Sequence, residues 1–301
     1  MPDDAAMARA IGAKWARINL QCYPTAQWPN STVEHAWGNG LRTIGVMTAS
    51  TADLPLLLAD GLNDFCDNVL WLLDYHGKQI GAIEILGAVE GLYVNGYGGA
   101  REWYGDFLRA AAETIKAKRP DATVLGGGFG TNAQPRFLTD CILPGAAVLD
   151  GYSVHPLAAP LHELDEFAEL YAANLQGVRD AIEEGTPLWA TVFGVPTVPE
   201  PYDEDTGRAV LPGDVMAIAA DEALAWYTRL LTELEAAGVE VCCLLSRDLA
   251  HYKTPAAWCG LRYADGRDKP WTQSLLLWLQ ERPQAQVLID LPEEDADADR
   301  A

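Results

Sequence analysis

Glu84 is a carboxylate inside an otherwise apolar run, QIGAIEIL at 79–86. An acid placed there is either a reacting group or half of an ion pair, because an unpaired buried charge is too costly to keep. Glu90 follows in the adjoining loop, and Asp248 stands just past a second apolar run, VEVCCLLS at 239–246. Acidic residues in such loops ordinarily turn or cap the backbone. His155-Pro156 ends a further apolar run. The five His form no HExxH or HxH pattern, so neither a metal nor another cofactor is indicated. The six Cys contain no CxxC pair and read as reduced, packed thiols, with the adjacent Cys242 and Cys243 facing opposite sides of one strand. GGGFG at 126–130 has the look of a phosphate loop, but no helix pattern begins on it and no acidic residue follows at the right distance.

The elements that must hold these groups alternate regularly. Strand-like runs at 14–20, 41–47, 79–86, 123–128, 147–154, 187–194 and 239–246 are separated by amphipathic helical stretches, among them 100–119, 164–185, 215–237 and 271–281. The runs are nearly continuously apolar, as strands buried on both faces are. Such spacing predicts a parallel sheet, and so many units without a nucleotide fingerprint predict a closed α/β barrel of the TIM type, (β/α)8.

Composition narrows the partners. Forty-three acidic residues against twenty-one basic ones give a net charge of −22. A surface so poor in cations cannot displace the counterions of a phosphate polymer or an anionic membrane, so neither nucleic acid nor membrane is an expected partner. The opening MPDDAAMARAIGAKW has no apolar core of a signal peptide, and no apolar run is long enough for a membrane span. A cytoplasmic protein, or one built into an assembled particle, is the expected setting.

The order of segments resembles the clan A glycoside hydrolases, closest to the β-xylosidase-like families, over nearly the whole chain. IGAKWARINL resembles that family's second barrel strand with its Arg, here Arg17. IEILGAVEG, with Trp103 and the helix after it, resembles the segment reading Trp-Glu-x-x-Asn-Glu-Pro. LDGYSVHP resembles the sixth strand with its His, here His155, and GTPLWATVFG resembles the strand reading Pro-x-x-x-Thr-Glu-x-Gly. The stretch from Asp221 to Asp248 with GLRYADGRDKPW resembles the last strand and its closing Gly-Leu and Lys-Pro.

Along these matches the family's Asn falls on Gly87, its acid/base Glu on Ala88 and its nucleophile Glu on Val192, while its sugar-floor aromatic falls near Leu244 or Leu245. Retaining hydrolysis needs two carboxyl groups roughly 5–5.5 Å apart across the sugar, and Ala and Val supply neither. Relocated carboxylates remain as candidates for catalysis: Glu90, Glu84 and Asp248. Against each stands a plainer role, solvation for Glu90, an internal ion pair with Arg17 for Glu84, and backbone capping for Asp248. Arg17, Trp28, Tyr97, Tyr152, His155, Tyr252 and Trp258 are the expected ligand contacts at the barrel mouth, where aromatic rings stack on sugar faces or else simply cover the barrel.

The family normally has a strand ahead of the one resembling KWARINL, and too few residues precede it here. QVLIDL at 286–291 is expected to fill that slot, which makes the barrel a circular permutation of its relatives. The expected organisation is one barrel domain, 1–291, followed by a mobile acidic tail, 292–301. The expected function is a non-catalytic, glycosidase-like module that binds carbohydrate or other protein subunits, with an active glycoside hydrolase as the alternative.

Overall fold

The structure is a computed structural model. It describes residues 12–25, 29–49, 53–87, 100–130, 148–157, 163–197, 218–248, 259–263, 266–282 and 286–290, together with Asp4, Met7, Ala8, Leu138, Ile142 and Leu143. Ala88, Glu90, Trp28, Tyr97, Tyr252, Trp258 and the tail 292–301 lie outside the described residues.

Eight parallel strands close into a barrel in simple chain order. They are β1 (Trp15–Tyr23), β2 (Arg42–Ala49), β3 (Ile80–Ile85), β4 (Val124–Gly130), β5 (Gly151–His155), β6 (Leu188–Phe193), β7 (Val241–Leu245) and β8 (Gln286–Asp290). Among the described residues, seven α-helices lie between them: α1 (Ser31–Gly38), α2 (Leu54–Asp60), α3 (Leu62–His76), α4 (Ala100–Lys118), α5 (Leu164–Ala181), α6 (Ala223–Ala236) and α7 (Thr272–Gln280). All eight expected strands are present, and β8 takes the slot foreseen for QVLIDL. It pairs with β7 from Val241↔Gln286 to Leu245↔Asp290 and with β1 from Trp15↔Leu288 to Arg17↔Asp290. Closure in this way leaves the sheet without an exposed edge.

Local sequence explains where the helices stop and start. The Asn30 side chain accepts from the amides of Thr32 at 2.9 Å and Val33 at 3.4 Å, which caps α1. Gly77, at φ 54°, turns the chain out of α3, and Pro120 follows α4. Asp4, fully buried, accepts from Arg247 Nε at 2.7 Å and Arg262 Nη1 at 2.9 Å, so the chain start is tied to the segments after β7.

Strand parity divides the core into two layers. Ile44, Ala82, Leu125, Trp189, Val241 and Cys243 point inward and pack together with Trp15, whose ring meets that of Trp189 edge-on at 5.5 Å. Their neighbours, such as Ile83, Val124, Val154, Ala190 and Cys242, point outward into the larger layer shared with the helices. Cys242 and Cys243 therefore do face opposite ways, and the five described cysteines are buried free thiols. The glycine run of β4 is strand rather than phosphate loop.

Candidate functional site

Two residues further along the strands, above the apolar inner plug, the barrel interior becomes polar. Arg17 on β1, Glu84 on β3, Ser153 and His155 on β5 and Thr191 on β6 are all buried. They lie toward the carboxyl ends of parallel strands, the end where barrels of this kind carry their sites.

Glu84 is the centre of this layer. His155 Nε2 donates to its Oε1 at 3.1 Å and Thr191 Oγ1 donates to its Oε2 at 2.5 Å. Burial pushes the carboxyl up, but the attraction and hydrogen bond of His155, the charge of Arg17 and the Thr191 hydroxyl together hold it at about 2. The expected partner of Glu84 was Arg17. Arg17 does contribute charge, but the hydrogen bonds come from His155 and Thr191, which lie 71 and 107 residues further along the chain. Thr191 is the site residue that sequence reasoning missed. Its one signal was a hydroxyl at an inward position of an apolar strand.

Glycines wall the carboxylate in. A Cβ at Gly128 would sit 2.6 Å from Glu84 Oε1 and 2.9 Å from the Cα of Gly87, and a Cβ at Gly87 would sit 2.9 Å from the same oxygen. Gly126 and Gly127 are crowded too, by Leu149 Cδ1 at 2.4 Å and the Ser153 carbonyl at 2.5 Å. Gly128 therefore makes room for Glu84, while Gly126 and Gly127 admit Leu149 and the backbone of β5. Just beyond β3, Leu86 adopts φ 56°, a left-handed conformation that costs a side-chain-bearing residue roughly 1–2 kcal/mol. Its amide donates to the Met47 carbonyl at 3.0 Å, and Leu86 itself packs into the core instead of over the mouth.

On β6 the pairing with β7 shifts between Ala190 and Phe193, and both of those residues belong to the outer layer. Two residues, Thr191 and Val192, therefore occupy the interval between successive outward positions. Thr191 turns to Glu84, and Val192, 8% exposed, stands beside it at the carboxyl end of the strand. On β7 the inward parity of Val241 and Cys243 passes to Leu245, whereas Leu244 is fully buried in the outer layer. Of the two residues matched to the sugar-floor aromatic, Leu245 is the inward one.

Asp248 is committed elsewhere. Its Oδ1 accepts from Lys269 Nζ at 2.8 Å and from the Gly260 amide at 2.9 Å, and Lys269 also donates to Thr197 Oγ1 at 2.7 Å. Burial pushes the Asp248 carboxyl up and the Lys269 ammonium down, and the pair's mutual attraction opposes both shifts. Asp248 thus accepts one backbone amide, as a capping residue does, and is paired with a buried cation as well.

Tyr152 departs from expectation. It alternates with Gly151 and Ser153 on β5, faces outward into the helix-side layer and is 5% exposed, so it does not line the mouth. Burial, with Glu183 nearby, pushes its hydroxyl up. Tyr23 at the end of β1 likewise packs on the helix side, where a Cβ at Gly61 would meet its ring at 2.5 Å. Among the described residues, no three His, Cys, Asp or Glu side chains gather into a metal site. No helix among them is long and apolar enough to cross a membrane.

No protein-family model matches the sequence, and no curated relative aligns with it. Solved structures do match its shape. A family 39 glycoside hydrolase from the gut symbiont Bacteroides cellulosilyticus superposes with a TM-score of 0.66 at 15% identity, covering 93% of this chain and 60% of that one. An exo-β-1,4-mannosidase from an Opitutaceae bacterium superposes at 0.70 with 14% identity over 94% of this chain and 55% of its own. A β-1,3-glucanosyltransferase from Rhizomucor miehei does so at 0.57 and 13% over 79% and 78%. The chain thus spans little more than half the length of the first two. These likenesses establish the fold: a glycoside-hydrolase-like (β/α)8 barrel.

Proposed function

We propose that this chain is a glycosidase-like barrel without a working acid and nucleophile pair, acting by binding carbohydrate or as a structural part of an assembly. The observation that carries this reading is the commitment of the described carboxylates nearest the site. Glu84 is enclosed by His155, Thr191 and two glycines, and Asp248 is locked to Lys269 and Gly260. Neither has a free face for an anomeric carbon, and the strand expected to bring a nucleophile brings Val192. Saccharide is the ligand class to examine first, because the structures of similar shape are a glycoside hydrolase, a mannosidase and a glucanosyltransferase.

The test is turnover of a panel of aryl glycosides by the purified chain beside its Glu84→Gln and Glu90→Gln variants. The expected result is release of aglycone no faster than in buffer for all three proteins. Turnover by the parent chain that either substitution abolishes overturns the proposal in favour of an active hydrolase.

A further inference from the structure

At the opposite end of the barrel a cavity of about 500 Å³ opens between the starts of β2, β3 and β4 and the last turns of α1, α3 and α4. Trp37, Arg42, Lys78, Gly81, Arg119 and Asp121 are among the residues that line it. Its charge balance is unusual for a chain of net charge −22, with three cations facing one acid. Arg119 bonds that acid, Asp121, at 3.2 Å and also reaches Asp74 at 3.1 Å, so these groups largely neutralise one another. Arg42 and Lys78 are left over. Neither side chain makes an ion pair or hydrogen bond among the described residues.

Arg42 is held in place all the same. Its guanidinium lies over the Trp15 ring, 4.4 Å from the centroid. Gly81 faces the seam between the two, where an added Cβ would come within 2.6 Å of both Arg42 Nε and Nη2 and 2.5 Å of the Trp15 ring. The register shift between Thr43 and Ile44 opposite β3 opens the strand at this glycine. Arg42 is exposed, and stacking on Trp15 restrains its guanidinium, whose planar fork of donors matches a two-oxygen anion. Cations at helix ends are ordinary complements to the helix dipole, which accounts for Lys78 after α3 and Arg119 after α4. It does not account for Arg42, which begins a strand. Trp37, 43% exposed, adds a flat apolar wall.

We propose that this cavity binds a small oxyanion, a carboxylate or phosphate carried on a small molecule, with Arg42 as the bidentate donor and Lys78 as the second charge. The site lies across the barrel from the mouth, so it stands whether or not the mouth binds sugar.

Calorimetric titration of the whole chain with inorganic phosphate, pyrophosphate and citrate, at low ionic strength, tests the assignment. Saturable one-site binding of at least one probe is expected, weakened about tenfold by Arg42→Met, which keeps a stem over Trp15 but removes the fork. Lys78→Gln, an exposed change that leaves the fold intact by circular dichroism, should weaken binding severalfold, and added salt should weaken it further. Saturation by phosphate or pyrophosphate alone assigns a phosphate ligand, and by citrate alone a carboxylate. Absence of saturable binding up to about 10 mM of every probe, or affinity unchanged in both variants, overturns the proposal.

Discussion

Replacing Glu84 with Gln keeps the shape of the side chain but removes the charge around which the polar layer is arranged. The folded carboxyl is held at about 2 against 4.5 for the free group. At about 1.4 kcal/mol per pH unit, that depression corresponds to roughly 3 kcal/mol of folding stability. Because the folded value lies below the unfolded one, this stability is fully present above pH 4.5 and is lost as pH falls from there toward 2. The Gln variant lacks the charge, so it should be roughly 3 kcal/mol less stable at neutral pH. It should also show little of the acid loss over that window. Urea unfolding of both proteins at several pH values from neutral to about 2.5 gives the difference curve directly. The expected gap is largest at neutral pH and shrinks below pH 4.5, as the parent's own carboxylate protonates. A neutral-pH gap under about 1 kcal/mol, or a gap constant across the whole range, refutes the view that His155, Arg17 and Thr191 stabilise a buried carboxylate.

Gly128→Ala places a methyl group 2.6 Å from Glu84 Oε1 at a position with φ +72°, whereas Gly185→Ala meets nothing within 4 Å at φ +83°. Urea midpoints should show a loss of about 2–4 kcal/mol for the first and about 1 kcal/mol for the second, and equal losses would remove the close fit around Glu84 as the reason for the glycine. Lys269→Met leaves Asp248 buried without its cation and should cost about 3 kcal/mol. Adding Asp248→Asn should recover part of that loss, and a double-mutant cycle with a coupling energy near zero would show that the two residues act independently.

Reading the chain by residue type and spacing located every strand of the barrel and most of its helices, because apolar periodicity and Gly or Pro stops are local properties. It also placed Gln286–Asp290 in the sheet, since a parallel barrel one strand short has two open edges and one remaining β-like segment to fill them. Parity alone correctly sent Cys242 and Cys243 to opposite faces, and it was enough to turn Tyr152 outward once the start of β5 at Gly151 was known. Parity fixes a side, however, and not a height. Which groups meet across the interior depends on how far each strand is staggered against its neighbours, and bulges reset that stagger. Hence Glu84 found His155 and Thr191 in addition to the charge of Arg17, and the shift on β6 brought Thr191 and Val192 into one interval. The pairing of Lys269 with Asp248 and the stack of Arg42 on Trp15 beside Gly81 arise in the same way, from segments that only the closed barrel brings together. The sequence determined a parallel barrel with one carboxylate, Glu84, inside an apolar strand. The tertiary structure decided what surrounds that carboxylate, because its partners come from strands far apart in the chain.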